Sequence, residues 1–416
     1  MGQIVTSAEP RPEHGITGGV DTHLDLHVCA AVCSVTMRCL GTQSFPVTGA
    51  GYRELLCWLE SFGTVDRVGI EGTGTYGAGL SRSLAEVGVE VVEVNRPDRS
   101  GRRLRGKSDA VDAEAAARAV LSGQATSIPK TQNGAVEAIR VLRLVYTSAV
   151  KDRTAAMNQF HAVVSTAPES MRDELAALAG PTKIDRASRW RVRADDNVVA
   201  AATRRSLREL AVRIVTLDNQ ADRVEVELVR LVESTAAALV DLPGVGVHTA
   251  AELLMAAGDN PTRIKSEAAF AHLCGAAPVP ASSGKTNRHR LNFAGNRAAN
   301  HALWRIVMAR MAHRDPRTIA YVERRTAEGL SKRDIMRCLK RYVAREVFRV
   351  ITEPPRPAPT GSTIREMRHH AGLTQTELAA AAHLTLMQVS RIERGLLRRG
   401  DLQHRCHGVL QASDTN

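Results

Sequence analysis

"GGVDTHLDLHVCAAVCS", residues Gly18–Ser34, reads as a strand, a short turn and a second strand. Working outward, "RCLGTQSFPV" (38–47) gives a third strand. "AGYRELLCWLESFG" (50–63) has apolar residues at helical spacing and stops at a glycine. "DRVGIEG" (66–72) is a short strand running into glycine, and "YGAGLSRSLAEVG" (76–88) a helix with a glycine stop. "VEVVEVN" (89–95) is an apolar strand, followed by the basic loop "RPDRSGRRLRGKSD" (96–109) and an alanine-rich helix. The order βββαβαβα is an α/β pattern with three opening strands.

The rest of the 416-residue chain is long enough for one or two further domains. Aromatic residues make up only 3%, so cores must be built from Ala, Val and Leu, which suits long helices better than a β-sandwich. The segments 135–164 and 204–235 are charge-laced and helix-periodic. They read as two antiparallel helices joined by a less regular stretch around "GPTKIDRASRWRVRADDN" (180–197). A new unit opens at "DLPGVGVHTA" (241–250), and "EPPRPAPTG" (353–361) reads as a stiff linker before a last small segment. The expected domains are therefore 17–130, 131–237, 238–352 and 361–400.

A formal net charge of +12 points to a polyanionic partner, and nucleic acid is the commonest. No apolar run approaches the roughly 20 residues that span a bilayer, so no membrane role is expected. The N-terminus lacks the apolar core of a signal peptide. Seven cysteines at irregular spacing form no zinc pattern. Cys29 and Cys33 read as small apolar residues on a buried strand, and the chain as a reduced, cytoplasmic, nucleoid-associated protein.

Four acids stand out. Asp21 lies in the first strand, Glu71 at the end of a later one, and Asp109 and Asp112 sit three apart at a helix start, on one side of it. Gathered together they would repel unless a hard divalent cation, Mg²⁺ or Mn²⁺, lay between them. Two such ions about 4 Å apart can activate an oxygen nucleophile and stabilise a leaving oxygen in phosphodiester chemistry. Arg102, Arg103, Arg105 and Lys107 would hold the phosphate backbone. Taken singly, each acid has a plainer reading, Asp109 as a helix cap above all. Asp25 is expected to be a surface residue.

"GGVDTHLDLHVCAAV", "GIEGTGTYG" and "KSDAVDAEAAARA" together resemble the three blocks of the DEDD transposases of bacterial insertion sequences, the group that includes the pilin gene invertase. The resemblance implies a ribonuclease-H-like domain similar to Holliday-junction resolvases, with Asp21, Glu71, Asp109 and Asp112 as the acidic tetrad. Leu24 stands where many relatives have lysine.

"LPGVGVHTA" (242–250) resembles a helix-hairpin-helix turn, in which Gly244 and Gly246 would let the backbone approach a phosphate; a plain inter-helix turn is the other reading. In "PASSGKTNRHRLNFAGN" (280–296) two serines lie amid Lys285, Arg288, His289 and Arg290. That setting suits either a flexible turn or a hydroxyl attacking a phosphodiester with cations stabilising the added charge. Residues from about 240 to 350 resemble the second domain of the same transposases, where a serine before glycine is the proposed nucleophile. Ser283 matches it, with Ser282 as the fallback. The resemblance further implies a covalent serine–DNA link, a composite site in a homo-oligomer, and guidance by a structured RNA from the element.

The tail "STIREMRHHAGLTQTELAAAAHLTLMQVSRIERG" (362–395) resembles a repressor-type helix-turn-helix of the XRE family. Gln388 and Arg391 would face the major groove and Gln375 a phosphate. His383 replaces the usual turn glycine, and the residues after 395 do not resemble the closing helices of such a domain, which suggests a partial fusion. The leading expectation is a DNA recombinase that moves an insertion sequence. A junction-resolving nuclease using the acids alone and a non-catalytic DNA-binding regulator are the competing readings.

Overall fold

The computed structural model describes residues 15–95, 108–286, 288–352, 361–393 and 400–413. They form two compact units, one of residues up to 134 with 257–265, the other of 135–256 with 266 onward.

In the first unit, β1 (Gly15–Thr22), β2 (Leu26–Cys33), β3 (Cys39–Pro46), α1 (Gly49–Glu60), β4 (Thr64–Glu71), α2 (Ala78–Glu86), β5 (Glu90–Val94) and α3 (Asp109–Leu121) follow in the expected order. The sheet order is β3-β2-β1-β4-β5. β1 runs antiparallel to β2 and parallel to β4, and β4 parallel to β5. The period-2 alternation of strands sorts the residues of β1 between two faces. Ile16 and Val20 turn towards Leu55 and Leu59 of α1 and Leu80 and Leu84 of α2, in one core with Val68 and Ile70. Thr17, Gly19 and Asp21 turn to the other face, where α3 lies.

That second face explains both the glycines and the alanines. Gly19 and Gly69 are register partners on β1 and β4. A Cβ on Gly19 would sit 2.1 Å from the Ala113 carbonyl oxygen and 2.3 Å from the Ala117 nitrogen; one on Gly69 would sit 2.6 Å from Val120 Cγ2. Two bare strand positions side by side make a flat floor, and the small face Ala113, Ala116 and Ala117 settles directly on it. Cys29 and Cys33 are buried on β2, as expected, and all seven cysteines are free.

In the second unit, α4 (Ala135–Thr166) and α7 (Val198–Val240) pack antiparallel: Arg153 reaches Asp218 at 2.8 Å, and Phe160 lies among Leu207, Ala211 and Ile214. The stretch read as irregular instead holds two short helices, α5 (Glu169–Ala176) and α6 (Gly180–Ser188). Their Met171, Leu175, Ile184 and Ala187 join Trp190 in that same core. α7 is kinked at Ala236, with φ −152° and ψ 60°.

After α7 come α8 (Val247–Ala257), α9 (Glu267–Leu273), the small hairpin β6 (Val279–Pro280) with β7 (His289–Arg290), α10 (Arg297–Ala312), α11 (Pro316–Ala327) and α12 (Lys332–Thr352). Residues 257–265 fall in the first unit, and the second resumes at 266. Within 257–265, Asn260 donates to the Pro129 carbonyl at 3.0 Å and accepts from the Thr131 amide at 3.3 Å.

The tail forms α13 (Gly361–His370), α14 (Gln375–Ala381), α15 (Leu386–Glu393) and α16 (Gly400–Ser413). The closing residues differ from the expectation of a partial domain. Leu402, Cys406 and Leu410 of α16 complete one core with Ile364, Leu378, Val389 and Ile392. Arg368 donates to both carboxylate oxygens of Glu393, at 2.6 and 3.1 Å, and both residues are buried. Among the described residues no helix is long and apolar enough to cross a membrane.

Candidate metal centre and serine hairpin

Asp21 closes β1, and Glu71 follows Ile70, the β4 partner of Val20. The two strand ends are tied by Thr22 Oγ1, which donates to the Glu71 carbonyl at 2.8 Å. Gly72 then takes φ +72°, where a Cβ would be strained, and turns the chain away from the acids. Ser108 caps α3 by accepting from the Val111 amide, which fixes the first turn carrying Asp109 and Asp112. The close seat of α3 on Gly19 lowers that turn onto the ends of β1 and β4.

His23, two residues beyond Asp21, completes the arrangement. Its Nε2 lies 3.3 Å from Asp21 Oδ2 and 3.4 Å from Asp109 Oδ2. Donor atoms of Asp21, His23 and Asp109 all fall within 4.8 Å of one another. The Asp21 side chain is 13% exposed and Asp109 55%, so Asp21 forms the inner wall and Asp109 the rim. Asp112 is buried behind them. Burial pushes the Asp21 carboxyl above its ordinary range, Asp112 and Asp109 push it further, and His23 opposes them. An acid held in unfavourable solvation by two like charges is a group that a cation would relieve, and oxygen donors with one imidazole suit Mn²⁺ or Mg²⁺. Asp25 is exposed, as expected. Sequence reasoning missed His23; the signal was its position, since i and i+2 along an extended chain face the same way.

Ser283 sits in the β6–β7 hairpin. Its backbone pairs with Thr286 in both directions, at 3.1 and 3.0 Å, around Gly284, whose φ of +55° demands glycine. The Ser282 hydroxyl accepts the Arg288 amide at 3.2 Å and donates to the Arg288 carbonyl at 3.4 Å, so it belongs to the hairpin. Among the described residues the Ser283 hydroxyl has no hydrogen bond, and it is exposed beside Lys285, with Arg288 and Arg290 on the returning strand.

The other sequence candidates separate. Arg102, Arg103, Arg105 and Lys107 lie outside the described residues, as does the side chain of Arg391. Gly244 has φ +75°, and a Cβ there would approach the Ile306 carbonyl oxygen to 2.9 Å, so its glycine is required by packing on α10. The Gly246 amide is held by Thr249 Oγ1 at 3.0 Å, and Arg310 binds the Pro243 carbonyl at 2.7 Å beneath the turn. Gln375 donates to Glu393 at 2.7 Å instead of facing outward freely. Gln388 caps α15 by accepting from the Thr385 amide at 2.8 Å.

Residues 18–167 match the DEDD transposases of the IS110 kind, residues 236–323 the "Transposase IS116/IS110/IS902 family", and residues 364–399 a helix-turn-helix family. An uncharacterized protein of insertion element IS110 from Streptomyces coelicolor is 30% identical over 174 residues, 41% of this chain and 40% of the relative. Two segments of the chain are thus similar, in order, to IS110-type transposases, and a third behind them to a helix-turn-helix family.

Proposed function

We propose that the protein is a transposase that cuts and rejoins DNA at the ends of an insertion element. The observation that carries this reading is the meeting of Asp21, Asp109 and His23 at one point, with Asp112 behind and Glu71 on the adjoining strand end. In this reading the first unit is ribonuclease-H-like, and Asp21, Glu71, Asp109 and Asp112 hold Mg²⁺ or Mn²⁺. A divalent ion there would act as a Lewis acid on a phosphate oxygen.

Ser283, whose hydroxyl has no hydrogen bond among the described residues, is the nucleophile. Its oxygen bonds to phosphorus as the phosphorus–oxygen bond of the strand breaks, and the proton that the hydroxyl gives up ends on the departing strand oxygen. Lys285, Arg288 and Arg290 surround the added negative charge. The helix-turn-helix and the basic loop 96–107 grip DNA. A guide RNA encoded by the element, and a homo-oligomer that joins the acids and the serine in a composite site, follow from resemblance to the pilin invertase group.

The test is a suicide DNA substrate carrying element ends, incubated with the full chain and Mn²⁺. A covalent protein–DNA adduct is expected, retained in Ser282→Ala and lost in Ser283→Ala. Asp21→Asn should reduce strand cleavage by at least about a thousandfold. Cleavage without any adduct would overturn the serine role and favour a resolvase-like nuclease. Metal-independent operator binding with no strand breakage would favour a regulator.

A further inference from the structure

Within the second unit, an open groove of about 1090 Å³ runs between the β6–β7 hairpin, α10, α11 and α12. Eight of its described lining residues are arginine or lysine. Asp334 pairs with Arg337 at 2.7 Å, and Arg324, Arg325 and Arg345 pair with Glu328 and Glu267. Among the described residues, however, Arg290, Arg297, Lys340 and Arg341 have no ion-pair partner, so the groove attracts anions.

Charge alone would suit any polyanion, but the groove is also aromatic. The chain has only three Trp, five Tyr and six Phe, and four of these, Phe293, Trp304, Tyr321 and Tyr342, line this one surface. Phe293 is 82% exposed, Tyr342 45% and Trp304 41%, so the rings are not spent on a core. Three of the four are nonetheless braced. Trp304 stacks on His301 with centroids 5.5 Å apart, Tyr342 meets Tyr321 edge-on at 5.3 Å, and the Arg324 guanidinium lies 5.3 Å from the Tyr321 ring centre. Trp304 also borders a second depression of about 320 Å³ lined by Lys332, Arg333 and Lys340, so cations lie on both sides of the indole.

Braced, half-open rings alternating with cations form a stacking platform. A duplex keeps its base faces covered, and an acidic peptide would use the cations and leave the rings idle. Unpaired bases use both.

We propose that this groove binds a single strand of DNA, its bases stacked on Trp304 and Phe293 and its phosphates on Arg290, Arg297 and Lys340. DNA is favoured as the source because β7, which supplies His289 and Arg290 to the groove, is the return strand of the hairpin bearing Ser283. The choice of DNA rests on the transposase reading; the stacking groove does not.

The test uses the full chain in a chelator, with fluorescence anisotropy of an end-labelled 20-nucleotide DNA strand, the same sequence as RNA, and the duplex. Trp304→Ala and Phe293→Ala should each weaken single-strand DNA binding by about tenfold or more, Trp304→Phe should restore most of it, and duplex binding should stay unchanged. Phe293 is the control against misfolding, since it supports no core. Single-strand affinity indifferent to both truncations, equal loss for strand and duplex, tighter Trp304-dependent binding of RNA, or displacement by an acidic peptide would each overturn the proposal. If the wild-type full chain neither breaks nor joins element-end DNA while Trp304-dependent strand binding persists, the transposase reading fails and the groove stands. If Ser283→Ala loses joining and strand binding is blind to Trp304, the groove fails and the transposase reading stands.

Discussion

The carboxylates of the first unit and the serine of the second are held in opposite ways. Asp21 and Glu71 end neighbouring strands at the centre of a five-stranded sheet, and Asp109 and Asp112 stand on a capped helix pressed against it. Ser283 stands in a hairpin of two-residue strands, where every described residue from Ala281 to Arg290 is exposed. The acids are positioned by backbone packing that cannot give. The Ser283 backbone is held by two local hydrogen bonds to Thr286, and among the described residues its hydroxyl by none. Under the proposed function the difference has a reason: a cation site needs fixed donors before the ion arrives, whereas a nucleophile need only be exact once substrate is bound.

Substitutions at two glycines would break this contrast most visibly. Gly19→Val should cost about 3 kcal/mol or more through overpacking against Ala113 and Ala117, read as a large fall in the melting of the first unit. Gly284→Val meets no atom within 4 Å and should cost only about 1–2 kcal/mol of local backbone strain. Equal losses would mean that the two sites are built alike.

Asp21→Asn sharpens the electrostatic side. The raised Asp21 carboxyl means that the folded chain holds this proton more tightly than the unfolded one. Its stabilising contribution is therefore present in acid and lost as pH rises through the folded value. In chelator at pH 7 the variant should melt above the wild type, and the gap should close as pH falls towards the ordinary carboxylate value of 3.8. Added Mn²⁺ should raise the wild type and not the variant. A lower-melting variant in chelator would refute the repulsion.

On the hairpin, Ser282→Ala should accelerate hydrogen exchange at the Arg288 amide, a loss of about 1 kcal/mol, while Ser283→Ala leaves that exchange unchanged. The smallest effect belongs to His383, which holds φ +52° between α14 and α15. His383→Gly should stabilise the tail by under about 1 kcal/mol in a denaturant titration.

The strand and helix order of the first unit was legible because each element carries its own period and stops at glycine or polar residues. All four acids stand at element boundaries, where the sequence displays them; the close group of donor atoms holds two of them, Asp21 and Asp109, with His23. His23 was overlooked because an imidazole is an unusual companion for carboxylates, although its two-residue spacing from Asp21 stands in plain view. α5 and α6 escaped because each contributes only two buried residues, too few to show a period. The share of α16 in the tail core was hidden because its residues do not resemble the closing helices of such a domain, although Leu402, Cys406 and Leu410 follow at four-residue spacing. The aromatic groove is assembled from residues scattered between 275 and 345, so no window of sequence displays it.

Gly19 and Gly69 carry a consequence for how such a site can vary. A methyl group projects about 1.5 Å from the backbone, and on either strand it would lift the alanine helix by a comparable amount. The width of the acidic cleft is thus set from its floor, at positions that carry no side chain. Variants there would shift Asp109 and Asp112 relative to Asp21 without replacing any of the three.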